Sequence, residues 1–159
     1  MTTTSATGSL HRLIYCSEIH IAPTDLTEAV DAIIRASIRN NREVALTGLL
    51  LIHDGRFVQA LEGPEAAVLS TYGRISADRR HTDAKVLAAG PAPAREFGDW
   101  NMCARRMSDV DDAILDTLAQ REAFEPRKLT GRSALRLLKA VRGIQARGLR
   151  TGALRPTAA

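Results

Sequence analysis

The sequence predicts an α+β fold, one sheet with two helices on a single face, and three observations carry that prediction. Apolar segments of strand length alternate with segments of helical period in the order β-α-β-β-α-β-β. Asp54-Gly55 separates two apolar runs and is the pairing suited to a two-residue type I′ hairpin. The chain has 159 residues, 45% hydrophobic and 25% charged, a make-up that suits one globular domain with an extension and excludes a disordered chain. That order is the ferredoxin-like βαββαββ arrangement, followed here by C-terminal helices.

Each element has its own signal. Residues 10–16 are apolar with an aromatic near the end and read as the first strand. Asp25 with Glu28 three residues on marks a helix start, where acids suit the free N–H groups. Leu26, Val30, Ile33 and Ser37, with Ala29 and Ile34 beside them, carry the helical period to about Asn40. Asn40-Asn41 is a fitting end, since Asn tolerates left-handed backbone. In the hairpin that follows, a two-residue turn sets Leu50 opposite Gln59 and Ile52 opposite Phe57. Phe57, Gln59 and Leu61 then share one face, with Gly48 and Leu50 beside them. A glutamine inside an apolar stripe needs a reason.

Pro64 suits the first position of a second helix, whose inner stripe is Val68, Leu69, Tyr72 and Ile75 and which closes at residues 78–81. Residues 84–89 read as a fourth strand broken by Pro91 and Pro93, and residues 99–104 as a fifth. Ser108 with Asp111 starts a third helix bearing Val110, Ile114, Leu115 and Leu118. A fourth runs from about residue 133 to 146 with Leu135, Leu138 and Val141 on one side. The expected division is a flexible start at 1–9, a domain at 10–104, a helical extension at 105–150 and a fraying tail at 151–159.

The charge is uneven. The formal net charge is +4, yet residues 127–159 hold nine Lys and Arg and no acid, which leaves −5 on the rest. Two readings of the basic segment stay open. One is a solvated helix face that packs its apolar side on the open face of the sheet. The other is attraction to an acidic partner or nucleic acid. Two cysteines and four scattered histidines argue against a disulfide scaffold or a metal site. The N-terminal residues lack the pattern of a secretion signal and no apolar run reaches membrane-spanning length, so the expected setting is cytoplasmic, off the membrane.

Six separated segments together carry a resemblance: residues 13–17 (LIYCS), 37–41 (SIRNN), 46–50 (LTGLL), 55–64 (GRFVQALEGP), 78–81 (DRRH) and 97–102 (FGDWNM). In this order and spacing, across residues 10–104, they resemble the BLUF domain, a blue-light sensor that uses FAD, in its short single-domain form. The resemblance implies a non-covalently bound FAD whose flat ring lies between the two helices. Asn41 is then placed at the N3–H and C4=O edge, Asn40 and Arg80 toward the C2=O side, and Ile33 and Ile34 as apolar walls. His81 joins the cofactor-binding set. Side-chain amides suit such an edge because each offers a donor and an acceptor.

The same resemblance gives the odd glutamine its reason. Gln59 is placed between Tyr15 and the flavin. Light makes the flavin a strong oxidant, Tyr15 yields an electron coupled to a proton, and the return leaves the Gln59 amide rearranged with a new bond to C4=O. Trp100 and Met102, two apart on a strand, share a face and compete for the place beside Gln59; Ser37 bonds nearby. The last strand and the helices after it then relay the signal, through a homo-oligomer or a downstream protein, with no enzyme activity in the chain itself. Some family members have His where this chain has Asn40. The alternative from another class is a ferredoxin-like RNA-binding module using the basic C-terminal segment, which needs clustered sheet aromatics that the sequence does not supply.

Overall fold

The computed structural model describes residues 10–53, 55–98, 103–106 and 125–151, with side chains described except at 23, 34, 37–43, 53, 103–106 and 143–151. The elements are β1 (Leu10–Ile19), α1 (Leu26–Glu43), β2 (Thr47–His53), β3 (Arg56–Pro64), α2 (Glu65–Ser76), β4 (His81–Pro91), β5 (Cys103–Arg106) and α3 (Gly131–Thr151). A 3₁₀ turn over Pro23–Asp25 precedes α1 and another over Pro126–Lys128 precedes α3.

The strands lie in the order β4-β1-β3-β2-β5. The first four pair antiparallel, as the ferredoxin-like order requires, and β5 joins the far edge parallel to β2. The hairpin has its expected register: Leu50 faces Gln59 and Ile52 faces Phe57. Gly55 takes φ +74°, the left-handed backbone that a two-residue turn demands.

Alternation along the central strands builds two apolar layers. On one face Leu13, Tyr15, Leu50, Ile52, Phe57 and Leu61 pack against Val30 of α1 and Val68 of α2. On the other, Ile14, Cys16, Leu49, Leu51, Val58 and Ala60 pack against Ala134, Leu137, Leu138 and Val141 of α3. Full burial of each such leucine contributes roughly 1.5–3 kcal/mol. α3 thus lays its apolar side on the open face of the sheet, the first of the two readings of the basic segment. Its Arg132, Arg136 and Lys139 remain exposed. Gly131 sets the closeness of approach, since a Cβ there would meet the Ala88 Cβ at 2.8 Å.

Several boundaries and faces differ from expectation. Pro64 is the N-cap of α2 rather than its first helical residue. Leu69 is 47% exposed and is not part of the inner stripe. Val68, Thr71, Tyr72 and Ile75 hold the i, i+3, i+4, i+7 positions instead, and Leu69 lies one residue, about 100°, off that line. α2 ends at Ser76, so residues 78–81 do not close it, and β4 begins at His81 and runs through Pro91. Pro91 is tolerated because β4 is an edge strand, where a missing N–H breaks no ladder. Leu135 sits half-buried at the flank of α3. Among the described residues the fifth strand covers Cys103–Arg106; residues 99–102 of the expected strand and the helix expected from residue 108 lie outside them.

Candidate functional site

Tyr15 and Gln59 are cross-strand partners on the adjacent interior strands β1 and β3, and both side chains are almost wholly buried. The Tyr15 hydroxyl donates a hydrogen bond to the Gln59 Oε1. An amide at this point on the apolar layer is therefore held in place by a specific donor. Burial, with smaller contributions from Tyr72 and Asp78, pushes the Tyr15 phenol far above its ordinary value, so it stays neutral and keeps its proton.

The pair forms part of the wall of a solvent-open slot whose cavity volume is about 50 Å³. Ile33 of α1 lines one side, Leu50 and Phe57 the sheet side, and Ile75, Asp78, Arg80 and His81 the side where α2 passes into β4. Aromatic rings brace the inner end. The Tyr15 and Tyr72 centroids are 5.3 Å apart, and the His81 ring lies 6.2 Å from Tyr15 and 6.0 Å from Phe57.

His81 is fixed from both ends. Its Nε2–H donates to the Ile75 carbonyl at 2.6 Å, which leaves Nδ1 to accept from the Ser17 hydroxyl at 2.7 Å. Both nitrogens are thus engaged within the chain, and the ring presents carbon to the slot. Arg80 is held by Asp78: its Nε and its backbone N–H each donate to Asp78 Oδ1 at 2.9 Å. That bonding holds the Asp78 carboxyl below its usual value and raises Arg80 above its own.

The structure therefore gathers Tyr15, Gln59, Ile33, Arg80 and His81 around one cavity. Ser37, Asn40 and Asn41 fall in the latter part of α1 and Ile34 in its middle, with side chains outside those described; Trp100 and Met102 lie outside the described residues altogether. Sequence reading missed Asp78 and Ser17 as supports. An acid two residues before an arginine just past a helix end was the available signal for Asp78. Ser17 had only its place in the alternation, two residues from Tyr15.

The chemistry of the lining suits an apolar group with a polar edge: it is apolar over most of its area, with an amide, a phenol, a guanidinium and a carboxylate among its residues. An α+β sheet with such a slot and a buried phenol–amide pair defines a class of cofactor-dependent sensor domain. The family model described as sensors of blue-light using FAD matches residues 10–103, and the chain belongs to this BLUF family.

Among relatives, photoactivated adenylate cyclase subunit beta of Euglena gracilis is 38% identical over 121 residues, 73% of this chain. The blue light- and temperature-regulated antirepressor BluF of Escherichia coli is 37% identical over 107 residues, 66% of this chain. The chain covers 14% and 26% of those two proteins. Among solved structures, BlrB, a BLUF protein in its dark state, matches with a TM-score of 0.71 at 29% identity, covering 86% of this chain and 96% of that one. No helix among the described residues is long and apolar enough to cross a membrane.

Proposed function

We propose that this chain binds FAD non-covalently in the slot and signals blue light through the Tyr15–Gln59 pair. One observation carries the reading: a neutral, buried phenol donates to an amide that lines a largely apolar slot. The family description supports FAD as the flavin. When bound, the flavin supplies absorption of blue light and, once excited, a strong one-electron oxidant.

The chain's own residues do the rest. Ile33, Leu50 and Phe57 exclude water from the ring. Arg80, oriented by Asp78, and Asn40 and Asn41 at the end of α1 meet its polar edge, and Ile34 adds apolar wall. Tyr15 gives up its hydroxyl proton toward Gln59 Oε1 as an electron leaves the phenol, and both return. The Gln59 amide is left rearranged, with its donor and acceptor ends in new surroundings. Trp100, Met102 and Ser37 respond beside it and bias the last strand, a two-state element with a named switch.

The output of this chain is a protein partner rather than chemistry of its own. The RNA-binding alternative loses its sheet surface, which is covered by α1 and α2 on one face and by α3 on the other, and keeps only the exposed basic residues of α3.

The deciding experiment is optical. The purified protein is expected to be yellow, to release FAD rather than FMN on denaturation, and to shift its flavin bands reversibly to longer wavelength under blue light. A protein that stays colourless when loaded with flavin, or a yellow one indifferent to light, rejects the reading.

A further inference from the structure

Glu62 stands near the end of β3, three residues beyond Gln59, and the alternation of the strand turns it to the opposite side of the sheet. Its carboxylate is fully buried. Arg12 Nε donates to Oε2 at 2.7 Å, the Phe97 N–H donates to Oε1 at 2.9 Å, and the Glu96 N–H reaches both oxygens at 3.0 and 2.9 Å. Charge-assisted bonds of this length in a dry setting leave little slack.

The segment they hold, residues 94–97, is gripped again from the sheet. Arg12 Nη2 donates to the Ala94 carbonyl at 2.8 Å. The Arg95 guanidinium donates to Thr47 Oγ1 at 2.8 Å, the Glu62 carbonyl at 3.0 Å and the Ala45 carbonyl at 2.8 Å. The other side of the same segment belongs to α3. Arg142 donates to the Glu96 carbonyl, and its guanidinium lies 5.9 Å from the centroid of Phe97. The Phe97 ring is fully buried in the layer that Leu137, Leu138 and Val141 form with the sheet. Lys139 and Arg142 also approach the Glu96 carboxylate at 3.6 and 3.4 Å.

Residues 94–97 thus have one side bonded to the strand that carries Gln59 and the other to the C-terminal helix. We propose that Glu62 is a positioning residue for signal output: through residues 94–97 it makes α3 follow displacements of β3. A rearrangement at Gln59 thereby reaches the C-terminal helix across the back of the sheet. The inference rests on the light-sensing reading above, and it adds a route that runs on the face opposite the slot.

The test uses the full chain carrying FAD, as wild type and as the Glu62→Gln, Arg142→Met and Arg142→Lys variants. Two readouts run in parallel: the flavin spectrum, and amide hydrogen exchange over residues 131–142 in darkness and under steady blue light. The wild type is expected to show the red shift and a light–dark difference in exchange. Glu62→Gln and Arg142→Met are expected to keep the shift and lose that difference, and Arg142→Lys, which retains a donor for the Glu96 carbonyl, to keep both. A merely structural role alters dark exchange and leaves the light–dark difference standing. Should Glu62→Gln fail to fold, the half-exposed Arg142→Met decides alone. A wild-type difference preserved in Arg142→Met, or a wild type that shifts its spectrum with no change in α3, overturns the inference and leaves the sensor reading intact. Absence of any red shift in the wild type removes both.

Discussion

Tyr15 and Gln59 meet as opposite residues on neighbouring antiparallel strands, and the phenol donates to the amide oxygen inside the sheet's apolar layer. Removing the hydroxyl while keeping the ring is the cleanest perturbation of this pair. Tyr15→Phe is expected to bind flavin as the wild type does and to lose the light-driven shift entirely. Gln59→Leu is expected to do the same, because neither change opens a large cavity. Absorption spectra before and after illumination decide the matter. A normal photocycle in either variant removes these two residues from the mechanism.

The buried phenol also predicts a pH dependence. Its folded-state pKa lies far above the ordinary 10.0, mainly through burial, whereas the unfolded chain releases that proton near 10. Above that point the unfolded state binds fewer protons than the folded one, so stability falls with rising pH, by about 1.4 kcal/mol per pH unit for this single group. Below it the contribution is fully present. Denaturant melts between about pH 9 and pH 11 should show a shallower loss in Tyr15→Phe than in the wild type. Equal slopes contradict a neutral Tyr15.

Two ion pairs should differ sharply in weight. Glu62 is fully buried and Arg12 nearly so, at 14% exposure. Arg12→Met strands that carboxylate without its cation and is expected to cost about 3–5 kcal/mol, a fall in Tm on the order of 10 °C. Glu18 and Arg56, 3.2 Å apart, are both partly solvated. Glu18→Gln is expected to cost less than about 1 kcal/mol. Calorimetry on both variants checks the contrast.

Backbone geometry supplies a pair of opposite outcomes at neighbouring positions. Ala45 takes φ +59°, left-handed backbone that costs an alanine roughly 1 kcal/mol. Ala45→Gly is therefore expected to be neutral or stabilising by up to about 1 kcal/mol. A Cβ on Gly63 would meet the Ala45 carbonyl oxygen at 2.9 Å and Leu46 Cδ2 at 2.8 Å, and a backbone oxygen does not give way. Gly63→Ala is expected to destabilise by about 1–3 kcal/mol. Thermal melts of the two variants should move apart.

The hairpin was fully legible from Asp54-Gly55, because turn length fixes register and register fixes which residues share the Gln59 face. Tyr15, Ile33, Arg80 and His81 could be assigned to one cavity only through the motif resemblance, since residues so far apart in the chain carry no local sign of meeting. Leu69 was misplaced because two adjacent apolar residues, Val68 and Leu69, sit only about 100° apart on a helix and pattern alone does not choose between them. Burial of Glu62 was invisible for a different reason. An acid near a strand end ordinarily faces water, and its N–H partners Glu96 and Phe97 come from an irregular stretch more than thirty residues later. Non-local compensation of a buried charge leaves no periodic trace.

From Phe57 to Gly63 every residue of β3 is shielded from solvent. Phe57, Gln59 and Leu61 in that run face the layer under α1 and α2, and Val58, Ala60 and Glu62 the underside, so the two layers are laid down by interleaved residues of one strand. A substitution at Phe57 or Leu61 therefore alters the slot-side layer and one at Val58 or Ala60 the layer under α3, without changing a side chain of the other.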